Sequence, residues 1–208
     1  DLSLFEKKED AVYWYRIHIS VPEGYPESSV GINLGKIADV DETWWNGTLI
    51  GRSGSVDDPR SHASNRLHQY EIPASALKPG EVNVLAVRVR NTWRADELPG
   101  RGSFFISPYT AMRTAFFRTG MRELVFPVVY LVFFAYFLLL YSKRTGQKEN
   151  LLYSLFSLGF ALYSMCRTDI KYEYISDFNL LQKLEFGSMY ASIPLLMAFV
   201  LVYFGERH

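Results

Sequence analysis

The spacing of hydrophobic residues divides this chain into two parts near residue 108. Before that point, short segments alternate between apolar and polar positions, as in residues 11–21 (AVYWYRIHISV) and 82–91 (VNVLAVRVRN). A period of two places successive side chains on opposite faces and is typical of a half-buried β-strand. The side chains expected on the inner faces are Tyr13, Tyr15, Ile17, Ile19, Val21, Leu85, Val87 and Val89.

A turn signal lies between two further strand-like runs. Asn46-Gly47 separates Thr43-Trp44-Trp45 from Thr48-Leu49-Ile50. Both residues of a tight hairpin turn need positive φ, which Asn and Gly tolerate best. Other turn residues follow at short intervals, and no long helical pattern occurs before residue 108. The pattern predicts an all-β antiparallel sandwich over residues 1–107.

Long uncharged runs replace the alternation in the last ninety residues. They cover about 124–142, 150–167 and 186–205. A membrane-spanning helix needs about 20 apolar residues, and the middle run reaches that length only with its flanks. Three transmembrane helices are therefore predicted, the first two as a helical hairpin. Residues 108–123 are predicted to form an amphipathic juxtamembrane linker, which either anchors at the membrane interface or relays a signal. Gly120 and the Pro127 turn are the hinge candidates.

The distribution of basic residues predicts the orientation of these helices. The short turn after the first run carries Lys143, Arg144 and Lys148, which favours the cytoplasm. Arg113, Arg118 and Arg122 at the other end oppose this, but long exported domains follow the charge rule weakly. We expect a multi-pass membrane protein with the sandwich outside and the C-terminus in the cytoplasm.

Composition and motifs exclude several functional classes. The net charge is zero, which gives no reason to expect nucleic acid. Cys166 is the one cysteine, so no internal disulfide can form. Because neither a phosphate loop, nor a metal-ligand spacing, nor a nucleophile with a base is recognisable, no cofactor and no catalytic residue are predicted, and this segment is not expected to be an enzyme. The start at Asp1 and the end at His208 suggest a trimmed fragment of a longer protein.

The loop over residues 91–102 (NTWRADELPGRG) is the first candidate for ligand binding. An exposed aromatic ring beside charged hydrogen-bonding groups suits a polar ligand, and loops at the ends of sandwiches commonly carry function. The candidate residues are Trp93, Arg94, Asp96 and Arg101. In the alternative interpretation Trp93 caps the core, or the loop lies on the membrane.

Other candidates are weaker. Asp58 and Arg60 lie in a second loop, residues 53–66, for which a solvated loop is the simpler interpretation. Trp44 and Trp45 point to opposite faces of one strand, so at least one belongs to the core, and Trp45 is kept as a stacking candidate. Asp39 and Asp41 are weak calcium candidates without the glycine and later glutamate of a calcium loop.

Two resemblances add to this interpretation. The segments WYRIHISVPEG, INLGKIADVDETWWNGTLIGRSG and RLHQYEIPASALKPGEVNVLAVRVRNT resemble the jelly-roll, galactose-binding-like domain of glycoside hydrolase family 2 enzymes and sialate esterases. The matching residues, in order, are Asp39, Asp41, Glu42, Trp45, Asn46, Gly47, Gly51, Pro79, Gly80, Asn83, Leu85, Ala86, Val87, Arg88 and Val89. The resemblance implies a jelly-roll fold over residues 11–107. It does not imply catalysis, because the domain is non-catalytic in those enzymes and many copies bind no sugar.

The membrane half resembles the bacterial seven-transmembrane receptors with diverse intracellular signalling modules. The resemblance is carried by the aromatic first run, the basic turn, the stretch NLLYSLFSLGFALYSMCR and the segment LEF at 184–186. It implies the bacterial inner membrane, four further spans and a cytoplasmic kinase, cyclase, diguanylate cyclase or phosphatase beyond His208.

Two classes of function follow. The first is a sensory receptor whose partners are the lipid bilayer and an unknown small-molecule or glycan ligand, with a homodimer left open. The second is a membrane-tethered carbohydrate-binding module, or a subunit of an envelope assembly, without signalling.

Overall fold

A computed structural model describes residues 11–24, 29–37, 40–63, 66–91, 104–175 and 177–205. The chain forms two compact units, residues 1–115 and 116–208. The first unit is built of strands and the second of helices, as the change in hydrophobic spacing predicts.

The first unit contains two antiparallel sheets. Within the described residues its strands are β1 Ala11–Ser20, β2 Val30–Lys36, β3 Val40–Trp45, β4 Thr48–Ser53, β5 Leu67–Ile72, β6 Val82–Asn91 and β7 Phe105–Pro108. One sheet has the order β1-β6-β3-β4 and the other the order β5-β2-β7. The sheet-rich N-terminal half is thus confirmed, and the jelly-roll connectivity stays a prediction.

Both sheets contribute to one hydrophobic core. From the three-stranded sheet, Val30 and Ile32 of β2 and Ile72 of β5 are fully buried. From the four-stranded sheet, Trp45 and Leu85 are fully buried in the same cluster. Alternation along each strand therefore directs one face of each sheet inward, which is how a sandwich buries apolar area.

The predicted strand faces are largely confirmed. In β6, Leu85, Val87 and Val89 are buried, and in β1 the side chains of odd-numbered residues are the less exposed ones up to Tyr15. Ile17 differs, because 36% of its surface is exposed. β1 pairs only with β6 and lies at the edge of its sheet, so its central residues are covered on fewer sides.

The hairpin predicted at Asn46-Gly47 is confirmed. Asn46 has φ 48° and Gly47 has φ 85°, the combination that a type I′ turn requires. The Asn46 amide also donates to the Asn83 side-chain oxygen at 2.8 Å and to the Ala76 carbonyl at 3.0 Å, and its oxygen accepts the Val84 N–H at 2.8 Å. The turn residue therefore also fixes the hairpin to the loop before β6.

A close approach between the sheets occurs at Gly51. A Cβ atom at this position would lie 2.0 Å from Cδ1 of the Tyr70 ring. Since an aromatic ring is rigid, Gly51→Ala is expected to displace Tyr70 and to lower the free energy of unfolding by about 2 to 3 kcal/mol. All four tryptophans precede residue 108, so urea unfolding followed by tryptophan emission reports on the sandwich within the whole chain.

The double variant Gly51→Ala/Tyr70→Ala is the matched control for this prediction. Once the ring is removed, the added methyl group has space, so the two losses should be clearly less than additive. Full additivity would mean that the Gly51–Tyr70 contact is not what limits residue size at this position.

The second unit is helical. Its helices are α1 Tyr109–Glu123, which begins in the first unit, α2 Val125–Lys143, α3 Lys148–Cys166 and α4 Phe178–Gly205. A short 3-10 helix, Asp169–Glu173, precedes α4. The predicted juxtamembrane linker is helix α1. Its first turn packs near β2: the Tyr109 N–H donates to the Ser29 carbonyl at 3.2 Å, and the Met112 side chain covers Gly31. α4 begins eight residues before the predicted span, so much of the loop expected there is helical.

Among the described residues, two helical stretches are long and apolar enough to cross a membrane. They are Tyr109–Lys143 and Phe178–Gly205, with mean hydropathy of 2.4 and 1.7 in their most apolar windows. The third span, predicted over 150–167, stays a prediction. Helix α3 is less apolar because it carries small polar residues, of which Ser154 and Ser157 are fully buried.

Helix α3 packs on both α2 and α4 through aromatic side chains, and on α4 through an additional close contact. Towards α2 the contacts are aromatic, with ring centroids 4.7 Å apart for Tyr130 and Phe160 and 4.4 Å apart for Phe137 and Tyr153. Towards α4, the Tyr153 and Phe199 rings lie with centroids 5.1 Å apart, and the helices approach closely at Gly159, where a Cβ would lie 2.6 Å from Ser192 Oγ. Small residues that let two backbones approach are typical of helix packing in membranes.

Candidate functional site

The first predicted ligand loop lies outside the described residues. This applies to Trp93, Arg94, Asp96 and Arg101, and also to Asp39. Their part in binding stays a prediction.

The second predicted loop is fixed to the sheet by two arginines of β6. Arg88 pairs with Asp57 at 2.7 Å and with Glu42 at 3.1 Å, and these hydrogen bonds raise its pKa. The buried Arg90 donates to the carbonyls of Asp58 and Ser61, the latter at 3.1 Å. The loop is therefore held in place by the Asp57 side chain and by its backbone carbonyls.

The two predicted residues of that loop remain on the surface. Asp58 and Arg60 are exposed, and the Asp58 carboxylate accepts the Arg60 backbone N–H at 2.9 Å. This is the usual turn-forming use of an aspartate. Their side chains are accessible to a ligand, and in the described part of the chain no hydrogen bond joins either side chain to another element.

The two tryptophans of β3 have separate environments. Trp45 is fully buried in the hydrophobic core, so neither face of its ring is open to a ligand. The structure therefore places it in the core, which corrects the stacking role considered for it. Trp44 is half-buried on the opposite face.

A buried polar network connects the two sheets. Asp41 of β3 lies with one carboxylate oxygen 2.5 Å from His68 Nδ1 of β5 and accepts hydrogen bonds from Tyr70 at 2.9 Å and Thr43 at 2.7 Å. Asp41, His68 and Thr43 are at most 1% exposed. Burial and the adjacent Asp41 charge raise the pKa of Tyr70 well above its ordinary value, so it stays a proton donor.

This network changes the role considered for Asp41. Its two oxygen atoms are already occupied by three side chains, and within the described residues no group of three or more His, Cys, Asp or Glu is placed to hold a metal ion. The arrangement acts as a polar connection between sheets, since the donors and acceptors lie on strands of different sheets.

The helical unit contains a cavity of about 580 Å³. One wall comes from the α1–α2 junction and consists of Thr119, Arg122, Glu123 and Phe126. The opposite wall comes from the end of α3 and consists of Tyr163, Ser164, Arg167 and Thr168. Two arginines and several hydroxyl groups therefore surround a space that also has aromatic sides.

The base of this cavity is held by contacts to the connection between α3 and α4. Glu123 accepts the Asp169 backbone N–H at 3.2 Å, and a Cβ at Gly120 would lie 3.0 Å from Ile170 Cβ. Glu185 accepts a hydrogen bond from Arg167 at 3.2 Å and lies 3.8 Å from Lys171 Nζ. Burial lowers the pKa of Lys171, an effect that the Glu185 charge opposes.

The two apolar helical stretches have the length and composition of membrane spans, and the second half of the chain also matches a family model. Residues 122–208 match the model of the family described as 7TM diverse intracellular signalling. The resemblance expected from the sequence is confirmed over that range. The match covers 87 of the 208 residues, all in the second half of the chain.

Solved structures give partial likenesses to this chain. A β-glucuronidase of Ruminococcus gnavus is 19% identical over 40% of this chain and 12% of the enzyme, with a TM-score of 0.34. The β-glucuronidase of Faecalibacterium prausnitzii is 22% identical over 37% of this chain and 11% of the enzyme, with a TM-score of 0.30. The β-glucuronidase of Dictyoglomus thermophilum is 18% identical over 46% of this chain and 17% of the enzyme, with a TM-score of 0.33. The chain thus corresponds to less than a fifth of each enzyme. No curated protein matches it.

The inter-sheet network and the helical cavity were not expected from the sequence. Asp41 and His68 are 27 positions apart, and no motif joins them. The sequence indicated Arg122 only as one of three basic residues in the predicted linker. The alternating period of β5, residues 67–72 (LHQYEI), was the one available signal that His68 and Tyr70 lie on strands.

Proposed function

We propose that this chain is the sensory and membrane-spanning part of a bacterial signal-transduction receptor. In this proposal the sandwich lies on the periplasmic side of the inner membrane and senses a ligand, of which a carbohydrate is one candidate, or a partner protein. The helices, including α3 as a third span, transmit the signal towards a cytoplasmic output domain.

The observation that carries the proposal is the family match over residues 122–208 in a chain whose other half is a separate two-sheet unit. A compact unit of strands joined to membrane helices suits a receptor, because a ligand can be bound outside the bilayer. Signalling then requires that the ligand bind one arrangement of the chain better than another, since equal affinity shifts no equilibrium. The ligand residues proposed are those of the first predicted loop, Trp93, Arg94, Asp96 and Arg101.

The charge distribution supports the proposed orientation. α2 ends at Lys143 and α3 begins at Lys148, so three cations flank the short connection between them. Basic residues in short connections favour the cytoplasmic side. The C-terminal end of α4 would then also face the cytoplasm.

Cysteine labelling tests the orientation. In a Cys166→Ser background, single cysteines replace Thr48 in the sandwich and Gly146 in the α2–α3 connection, both exposed. With a membrane-impermeant maleimide on intact spheroplasts, we expect Thr48→Cys to be labelled at once and Gly146→Cys only after lysis. The reverse pattern would refute the orientation.

The same Gly146→Cys variant tests signalling. Carrying an environment-sensitive fluorophore in lipid nanodiscs, it is titrated with a panel of neutral and acidic oligosaccharides. If the chain is a receptor, a sugar that binds it should also change the emission of the fluorophore at residue 146. Trp93→Ala should abolish both the binding and the emission change. Binding without a change at residue 146 would favour the tethered carbohydrate-binding module.

A further inference from the structure

We propose that the cavity at the α1–α2 junction is a binding site for a phosphate group, held between Arg122 and Arg167. The proposal concerns the helical unit alone, and it does not depend on the receptor function proposed above.

The first argument is the charge of the cavity. In the described part of the chain, the Arg122 guanidinium makes one hydrogen bond, to Thr119 Oγ1 at 3.4 Å, and no ion pair. The Glu123 carboxylate, in the same wall, accepts a hydrogen bond from the Asp169 backbone N–H. Most N–H groups of the Arg122 guanidinium are thus available at the cavity, and an anion is the ligand that would complete its hydrogen bonds.

The second argument is the opposite wall. Arg167 gives one N–H to Glu185, but 63% of its side chain is exposed, which leaves further N–H groups for a ligand. Within the described residues the Tyr163 and Ser164 hydroxyl groups have no hydrogen-bond partner. Donors are therefore available on both walls of the cavity.

The number of donors favours phosphate over carboxylate. A carboxylate has two oxygen atoms, which satisfy one guanidinium fork. A phosphate is tetrahedral and presents two unsubstituted oxygen atoms in a diester or three in a monoester, directed out of one plane, so it can accept from both walls at once. Arginine is the side chain best suited to this bidentate recognition.

The position of the cavity indicates two sources for the phosphate. The apolar run of α2 begins at Val125, so the cavity lies where the helix passes from polar to apolar sequence. Phe126 is 69% exposed there and offers an apolar surface to the rest of the ligand. A phospholipid headgroup suits a cavity at the start of an apolar helix, because basic pockets between membrane helices bind lipid phosphates. A soluble phosphate monoester would be recognised by the same hydrogen bonds.

The test uses the whole chain in an uncharged maltoside detergent. Native mass spectrometry follows binding of dioctanoyl phosphatidylglycerol, and calorimetry follows binding of glycerol phosphate. We expect one site per chain and a dissociation constant raised at least about tenfold by Arg122→Gln, since hydrogen bonds to charged groups are strong. Arg167→Gln should act in the same direction. Arg118→Gln, on the same helix but outside the cavity, is the matched control and should change nothing.

Each outcome decides the proposal. Binding of the lipid alone identifies a headgroup site, and binding of both probes identifies a site that also accepts soluble phosphate. Failure of both probes to bind the unmodified chain would overturn the proposal. Equal weakening by Arg118→Gln and Arg122→Gln would also overturn it, because attraction would then come from general surface charge. Far-UV circular dichroism of each variant checks that the helices remain folded.

Discussion

Replacement of Trp45 by alanine is expected to lower the free energy of unfolding of the sandwich by about 4 kcal/mol. The ring is fully buried between the sheets with Ile32, Ile72 and Leu85, so its removal leaves a large cavity that the surrounding strands cannot fill. Urea unfolding of the whole chain, followed by emission of the three remaining tryptophans, measures the loss.

Trp44→Ala is the control for this prediction. Trp44 is the next residue on the same strand, but it is half-buried on the other face. Its removal should lower the free energy of unfolding by only about 1 to 2 kcal/mol, because it loses less buried area. If the two variants were equally stable, Trp45 would not be the central residue of the core, and a role in binding would need to be considered again.

Asp41→Ala is expected to cost about 3 kcal/mol or more of sandwich stability. The substitution removes the acceptor shared by Thr43, His68 and Tyr70 in a region without solvent access. Buried donors that lose their partner keep the full cost of their lost hydration. A new bond between Tyr70 and His68 Nδ1, 3.3 Å apart, recovers part of this loss. The same unfolding measurement applies.

Tyr70→Phe separates the parts of this network. It removes one hydroxyl and leaves Asp41 with its bonds to His68 and Thr43, so we expect a loss near 1 kcal/mol. Equal losses for Asp41→Ala and Tyr70→Phe would mean that Asp41 contributes only through the tyrosine, and that the bond to His68 has no net effect on stability.

Local signals account for the parts of the fold that the sequence predicted well. The Asn46-Gly47 turn depends on the φ values of two adjacent residues, and the faces of β6 depend on a period of two within ten residues. Both are properties of a short segment. The exposure of Ile17 was not predictable in this way, because it depends on β1 lying at the edge of its sheet.

The polar sites depend on pairings that a single sequence does not specify. His68 reaches Asp41 only because β5 and β3 lie in facing sheets, and alternation indicates a strand without indicating its neighbours. Arg122 and Arg167 share a cavity because α2 and α3 form a hairpin that brings the start of one helix to the end of the other. The hairpin was expected, but the inward direction of these two side chains was not.

The contrast between the two faces of α3 has a mechanical consequence. Where Gly159 meets Ser192, the helices lie too close to admit even a Cβ atom, so we expect α3 and α4 to move together. Where Tyr130 meets Phe160 and Phe137 meets Tyr153, rings can tilt and slide at small energetic cost. Any motion within this bundle should therefore be a piston or rotation of α2 against a rigid α3–α4 pair.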